Sequence, residues 1–248
     1  MDRTLSGTWQ QIEIAGKKAD IFEPATPSDT GAVIFLHGHG EITLSGNAIY
    51  SRNLAQQGLR VICPHGKRSW WLDRVCQEFD PLVTPERYIL DDVLPWMEST
   101  WNVQKRQAAL FGVSMGGQGS LRIAYRHALR FPVVAALSPV IDLNSYYGHG
   151  LPLDQIYPDA ETARQESATL QINPLNWPKN QWLSCDPQDS QAFEGVVRLA
   201  SKLSSSGIPF DGDRETSRGG HSWDYFNYQA PKVTAWLADR LKYESLRA

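Results

Sequence analysis

A serine between glycines, two neighbouring aspartates and a histidine in a second glycine turn are the residues of this chain whose types and order could do covalent chemistry. The serine is Ser114, in Gly112-Val113-Ser114-Met115-Gly116-Gly117, which fits G-x-S-x-G. An apolar run, QAALF, precedes it and a stretch with helical spacing follows, the context that this motif requires. On a sharp strand-to-helix turn the hydroxyl is forced outward, and Gly112 and Gly116 remove side chains that would block the turn. The first N–H groups of the helix point at the same place, which suits developing negative charge. The Met115 N–H is therefore expected to be one oxyanion donor. A second should come from the loop after an earlier strand, and His37-Gly38-His39-Gly40 directly follows AVIFL. The backbone N–H of His39 is the expected donor, with Gly40 as the alternative.

A serine hydroxyl is a poor nucleophile until a base takes its proton, and the base must be oriented by a carboxylate. In the strand-turn-helix setting of Ser114 the chain order is serine, acid, histidine. His127, on the helix after the serine, reads as a surface or capping residue, and His149 as a residue that could touch substrate. His221, in Gly219-Gly220-His221-Ser222-Trp223 between a last strand and the final helix, is where the base belongs. The acid should end the strand QWLSC, where Asp186 and Asp189 compete. Asp189 is favoured, because Pro187 turns the chain and a carboxylate further on can swing toward His221, whereas Asp186 is better placed to bind the N–H groups of that turn. His37, His39 and His65 would be the ligands of a metal-dependent alternative. His37 and His39 lie in a glycine turn with no third ligand at an obvious spacing, so neither metal nor cofactor is expected.

The elements that must position these residues are legible as short branched apolar runs: Gly31 to Leu36, Leu59 to Cys63, Gln107 to Val113, Val133 to Leu137 and Gln181 to Cys185. Helical spacing separates them, over Asn47 to Gln57, Pro85 to Trp101, Gly117 to Arg130, Gln191 to Ser205 and Pro231 to Tyr243. Such alternation implies an α/β fold with a mainly parallel central sheet and helices on both faces. Thr8 to Phe22, turning at Ala15-Gly16-Lys17, reads as an antiparallel N-terminal hairpin at the sheet edge. No linker or repeat divides the chain, so residues 1–248 are expected to form a single domain, with a lid or substrate-binding excursion at about 141–179.

Bulk properties exclude several classes. The 248 residues, 42% of them hydrophobic, are ample for one large core. Lys and Arg number 24 against 27 Asp and Glu, a formal charge of -3 without long blocks of either sign. Neither nucleic acid nor an anionic membrane is therefore an expected partner. The opening MDRTLSGTWQQIEIAGKK lacks the apolar centre of a signal peptide, and no stretch reaches the roughly 18 apolar residues of a membrane span. Cytoplasmic location is the default. The three cysteines, Cys63, Cys76 and Cys185, have neither an even count nor CxxC spacing and read as free thiols. Oligomeric state is not legible, and a homodimer stays open.

Gly112-Val113-Ser114-Met115-Gly116-Gly117, Asp186-Pro187-Gln188-Asp189 and Gly219-Gly220-His221-Ser222-Trp223 resemble the esterase family that includes esterase D (S-formylglutathione hydrolase), feruloyl and acetylxylan esterases and the mycolyltransferases. The resemblance runs from about Gly31 to Leu241 and is carried above all by S-M-G-G and G-G-H-x-W. It implies an α/β-hydrolase fold, a triad of Ser114, Asp189 and His221, and oxyanion donors at Met115 and His39. In esterase D the loop after the first central strand reads like S-G-L-T-C, where this chain has His37-Gly38-His39-Gly40-Glu41. A glycine that relatives often place three residues before the acid is Asp186 here.

The chemistry these residues predict is cleavage of a small-molecule carboxylic ester or thioester through an acyl-enzyme on Ser114. Acyl transfer to an alcohol or amine would use the same triad. A ligand-binding protein on an inactive hydrolase scaffold would lack a triad member, and all are present. Trp70, Trp71, Tyr146, Tyr147 and Trp223 are expected to wall the pocket.

Overall fold

The computed structural model describes residues 6–247. Met1 to Leu5, the head of the opening segment read for a leader, lie outside the described residues. The chain folds around seven strands: β1 (Gly7–Ile14), β2 (Lys17–Pro24), β3 (Ala32–Leu36), β4 (Arg60–Pro64), β5 (Ala108–Val113), β6 (Val133–Leu137) and β7 (Asn180–Ser184). Their order is β1-β2-β4-β3-β5-β6-β7. β1, β2 and β4 pair antiparallel, and from β4 through β3, β5 and β6 to β7 every pair is parallel. This is the mainly parallel sheet with an N-terminal hairpin that the apolar runs predict. The central parallel strands β3, β5 and β6 are buried throughout because helices cover both faces.

Alternate residues of one strand serve the two cores. Ile34, Leu36 and Leu110 point into a cluster with Trp71, Leu121, Ile123 and Leu199, while Val33, Phe35 and Phe111 point into one with Tyr50, Leu54, Tyr225 and Leu237. The first face carries α4 (Met115–Arg126) and α7 (Phe193–Ser205), the second α1 (Ala48–Gln57) and α8 (Trp223–Ser245). Between β4 and β5 run α2 (Pro85–Tyr88), a π-turn over Ile89–Val93 and α3 (Leu94–Trp101). The single helix expected there loosens by one residue because Pro95 has no N–H, and Leu94 N–H reaches Ile89 O instead.

Two expectations need correction. The strand expected before His221 is reduced to one parallel bridge, Trp182 to Asp211, because Pro209 cannot donate and Gly212, at φ 136°, turns the chain away. The final helix begins eight residues before Pro231, at Trp223, where the Ser222 side chain caps it. Pro231 lies inside α8 on its exposed face and is not its opening residue.

The excursion after β6 is built of short pieces, including α5 (Leu153–Ile156) and α6 (Ala160–Gln165). It is pinned to the helix that follows Ser114. Buried Arg122 of α4 forms ion pairs with both Glu86 and Glu166, and Gln118 Oε1 accepts the Ala168 N–H at 3.0 Å. Glu86 also binds Arg126 at 3.0 Å and His127 at 2.9 Å, so its buried carboxylate is fully occupied. His127 thus serves this network.

Candidate active site

Ser114, the β3 loop and the aspartates arrive together because of sheet register. Leu36 pairs with Gly112, Val113 with Leu137, and Leu137 with Ser184, so the ends of β3, β5, β6 and β7 form one rim. Loops leaving the carboxyl ends of neighbouring parallel strands are where such sheets bind ligands. Ser114 itself is forced into φ 56°, ψ -123°, which a residue with a side chain rarely adopts. The turn is so tight that a Cβ on Gly116 would stand 1.9 Å from Leu36 O, and one on Gly112 would stand 2.2 Å from Gly116 O. Only glycine fits at either place.

Around that turn the side chains form one line. His221 Nε2 lies 2.8 Å from Ser114 Oγ, and His221 Nδ1 lies 2.7 Å from Asp189 Oδ2. An ionised carboxylate only accepts, so Nδ1 carries the hydrogen and Nε2 of the neutral ring is left to accept from the serine hydroxyl. Asp189 Oδ1 accepts the N–H groups of Gln191 and Ala192, each at 3.0 Å. Burial raises the Asp189 carboxyl, but the His221 hydrogen bond and charge, with the backbone donors, bring it below the ordinary carboxylate range. Asp186 faces elsewhere. Its Oδ1 accepts Gln188 N–H at 2.7 Å, and its Oδ2 accepts Gly220 N–H at 2.9 Å together with Arg218 N–H. It therefore ties the turn after β7 to the glycine loop that presents His221, and does not itself touch the ring.

The β3 loop is held by a histidine that the sequence reading considered only as a metal ligand. His37 is buried; its Nδ1–H donates to Gly38 O at 2.8 Å and its Nε2 accepts Gly66 N–H at 2.9 Å. Burial pushes this imidazole down to about 4, so it stays neutral at ordinary pH. His65 pairs instead with Asp20 at 3.0 Å. His37, His39 and His65 do not converge, and no metal-binding cluster occurs among the described residues.

Ser114 sits between two recesses. One, of about 230 Å³, is lined by Gly38, Gly40, Ile42, His221, Trp223 and Phe226. The other, of about 180 Å³, is lined by Met115, Trp70, Tyr146, Leu151 and Val140. His39 and Gln191 border both. Trp71, expected beside Trp70 in the pocket wall, borders neither. Its ring is buried behind the loop against Gly66 and Gly119, and its Nε1 donates to His37 O at 3.1 Å. Tyr147 and the exposed His149 also border neither. Gln191, Ile42 and Leu151 were not singled out from the sequence; the nearest signal was that Gln191 follows Asp189 by two residues at the head of α7. A larger groove, about 860 Å³, runs along α7 and residues 210–216 and holds neither Ser114 nor His221.

The profile of the Esterase family, described as "Putative esterase", matches residues 29–237. The chain belongs to the Esterase family. Solved structures agree on the fold. This esterase aligns with an S-formylglutathione hydrolase from Agrobacterium tumefaciens at 18% identity and TM-score 0.74, covering 96% of each chain. It aligns with FphF, a fluorophosphonate-binding serine hydrolase of Staphylococcus aureus, at 15% identity and TM-score 0.77, covering 94% of this chain and 99% of that one. A ferulic acid esterase gives 15% identity and TM-score 0.75, with 95% and 98% covered. No curated protein sequence matches significantly. The α/β-hydrolase fold expected from the sequence is the fold that this esterase shares with those structures.

Proposed function

We propose that Ser114, His221 and Asp189 are the catalytic triad of this esterase, with Met115 N–H and His39 N–H as oxyanion donors. The unbroken line from Ser114 Oγ through His221 to Asp189 supports this most directly. Ser114 Oγ attacks the carbonyl carbon of a small-molecule ester or thioester while His221 Nε2 takes the hydroxyl proton. The carbonyl oxygen becomes an oxyanion beside Met115 N–H, the first of α4 and so without an intrahelical partner, and the loop N–H of His39. Collapse breaks the bond to the alcohol or thiol, which leaves with the proton from His221. A water deprotonated by His221 then cleaves the acyl-enzyme and restores Ser114. Asp189 keeps the imidazole in the tautomer this sequence needs, and no step calls on a cofactor.

We assign the protein to the cytoplasm as one α/β domain. Three buried, unpaired thiols support a reducing compartment, and no helix among the described residues is long and apolar enough to cross a membrane. Incubation with a fluorophosphonate followed by peptide mass analysis tests the assignment. The expected adduct is on Ser114, with loss of p-nitrophenyl acetate hydrolysis in parallel; an active enzyme labelled elsewhere, or still active as Ser114→Ala, sinks it.

A further inference from the structure

A cavity of about 390 Å³ lies at the end of the sheet away from Ser114, at the amino end of β5. Ala108, the first residue of that strand, lines it, and the six residues of β5 at about 3.3 Å each put it about 20 Å from the nucleophile. It shares no lining residue with either recess beside Ser114. Its size falls within the range of small-molecule pockets, roughly 300–1,000 Å³.

Three pieces of chain build the walls. Helix α3 contributes Leu94 and Glu98, one turn apart on one face; the loop into β5 contributes Lys105 and Arg106; the turn after α4 contributes Leu129 and Arg130. Unusual backbone shapes two of these pieces. The π-turn over Ile89–Val93 leads directly into Leu94, and such turns inside helices recur at functional sites. Arg106 stands at φ 72°, a conformation that a bulky residue keeps only where its surroundings hold it. Buried Glu244 does so, accepting the Arg106 Nε–H at 3.0 Å.

The lining divides into an apolar and a cationic part. Leu94 and Ala108 are buried, whereas Leu129 is 71% exposed, an apolar side chain that gains by being covered. Three cations, Lys105, Arg106 and Arg130, stand against one acid, Glu98. Glu244 neutralises Arg106, but the side chains of Lys105 and Arg130 have neither an ion pair nor a hydrogen bond among the described residues. Two uncommitted cations beside an apolar wall complement a molecule that joins an anionic head to an apolar chain, since an anion held by both gains charge-assisted hydrogen bonds.

We propose that this cavity binds a single-chain amphiphile with an anionic head, carboxylate or phosphate. The head lies at Lys105 and Arg130 and the chain along Leu94, Ala108 and Leu129. The volume is about two and a half times that of a cavity of roughly 150 Å³ that holds benzene, which gives room for about fifteen non-hydrogen atoms. A ten-carbon acid fits within it.

Calorimetric titration of the full chain with decanoate and with decyl phosphate, both below micelle formation, tests this. One site per chain is expected, and the tighter ligand identifies the head group. Affinity should fall about fourfold for each methylene removed on going from decanoate to octanoate and hexanoate. Decanol, with the chain but no charge, should bind about tenfold more weakly or worse. Lys105→Gln combined with Arg130→Gln should cost about tenfold in affinity for decanoate, and Leu129→Asp a similar factor. All three side chains are exposed and remote from Ser114, so melting temperature and p-nitrophenyl acetate hydrolysis should match wild type. Decanoate binding that survives the double variant unchanged, or that a phosphonate on Ser114 abolishes, places the ligand elsewhere and overturns the proposal. Equal affinity for decanol, or no heat from either anion at millimolar concentration, overturns it as well. If the soluble amphiphiles do not bind but phosphatidylglycerol vesicles retain wild type and not the double variant, the face is a membrane contact and the single-chain site is refuted.

Discussion

Replacing each of the two neighbouring aspartates by asparagine should give unlike enzymes, because their oxygens are engaged differently. Asp189 Oδ1 accepts two backbone N–H groups and Oδ2 faces His221 Nδ1. In Asp189→Asn the amide oxygen must stay with the two N–H donors, which turns the NH₂ toward the ring. Nδ1 must then accept, the hydrogen moves to Nε2, and the imidazole can no longer take the proton of Ser114. The loss in kcat should be about 10⁴, or about 5 kcal/mol, as for this exchange in a serine protease triad. Thermal stability should change little, since the shape is kept. In Asp186→Asn the amide cannot satisfy Gln188 N–H on one oxygen and Arg218 and Gly220 N–H on the other, so one to two charge-assisted bonds are lost at about 1.5–3 kcal/mol each. That variant should be clearly less stable, yet lose only about tenfold in kcat through a looser His221 loop. Steady-state hydrolysis of p-nitrophenyl acetate and urea midpoints on both proteins measure this. A fully stable but dead Asp186→Asn beside an Asp189→Asn within tenfold of wild type would refute the assignment of the acid.

Three further outcomes follow from the same geometry. His37 binds a proton near 6.5 when unfolded but only at about 4 when folded, so the unfolded state gains protons first and stability falls as pH drops from 6.5 to 4. The deficit should reach about 3 kcal/mol at pH 4; urea midpoints for wild type and His37→Asn between pH 7 and 4.5 should show a flatter slope in the variant, the carboxylates being common to both. Ser114 sits at φ 56°, so Ser114→Gly should unfold at higher temperature than Ser114→Ala, by about 1 kcal/mol of relieved strain; equal melting points would mean the turn stores none. Arg122→Met leaves buried Glu86 without its main cation and should cost about 3–5 kcal/mol in denaturant titration, with faster proteolysis within residues 141–179 than elsewhere.

What was legible in the sequence was local. The G-x-S-x-G turn shows itself because strand, glycines and helix start lie within a dozen residues of Ser114, and Asp189 separates from Asp186 through the turn chemistry of Pro187. The β3 loop follows from the apolar run before it. What was not legible depended on which way a loop residue faces. Trp70 and Trp71 are adjacent and alike, yet one lines a recess and the other is wedged behind the loop, a difference that composition does not reveal. The missing last strand turned on Pro209 and Gly212, residues that break a ladder which the apolar neighbours alone would support. Gln191 stayed hidden because its place at the mouth of both recesses depends on where α7 begins.

The clamp of Arg122 between Glu86 and Glu166 also bears on how this enzyme would meet an insoluble substrate. Lipases that switch on at an oil–water boundary do so by swinging a cap away from the nucleophile. Here the excursion after β6 is tied through Arg122 and Gln118 to the very helix that begins at Met115. A segment so tied should not swing: as a sparingly soluble ester is raised past its solubility limit, the rate is expected to level off with the dissolved fraction, without the upward break that a swinging cap produces.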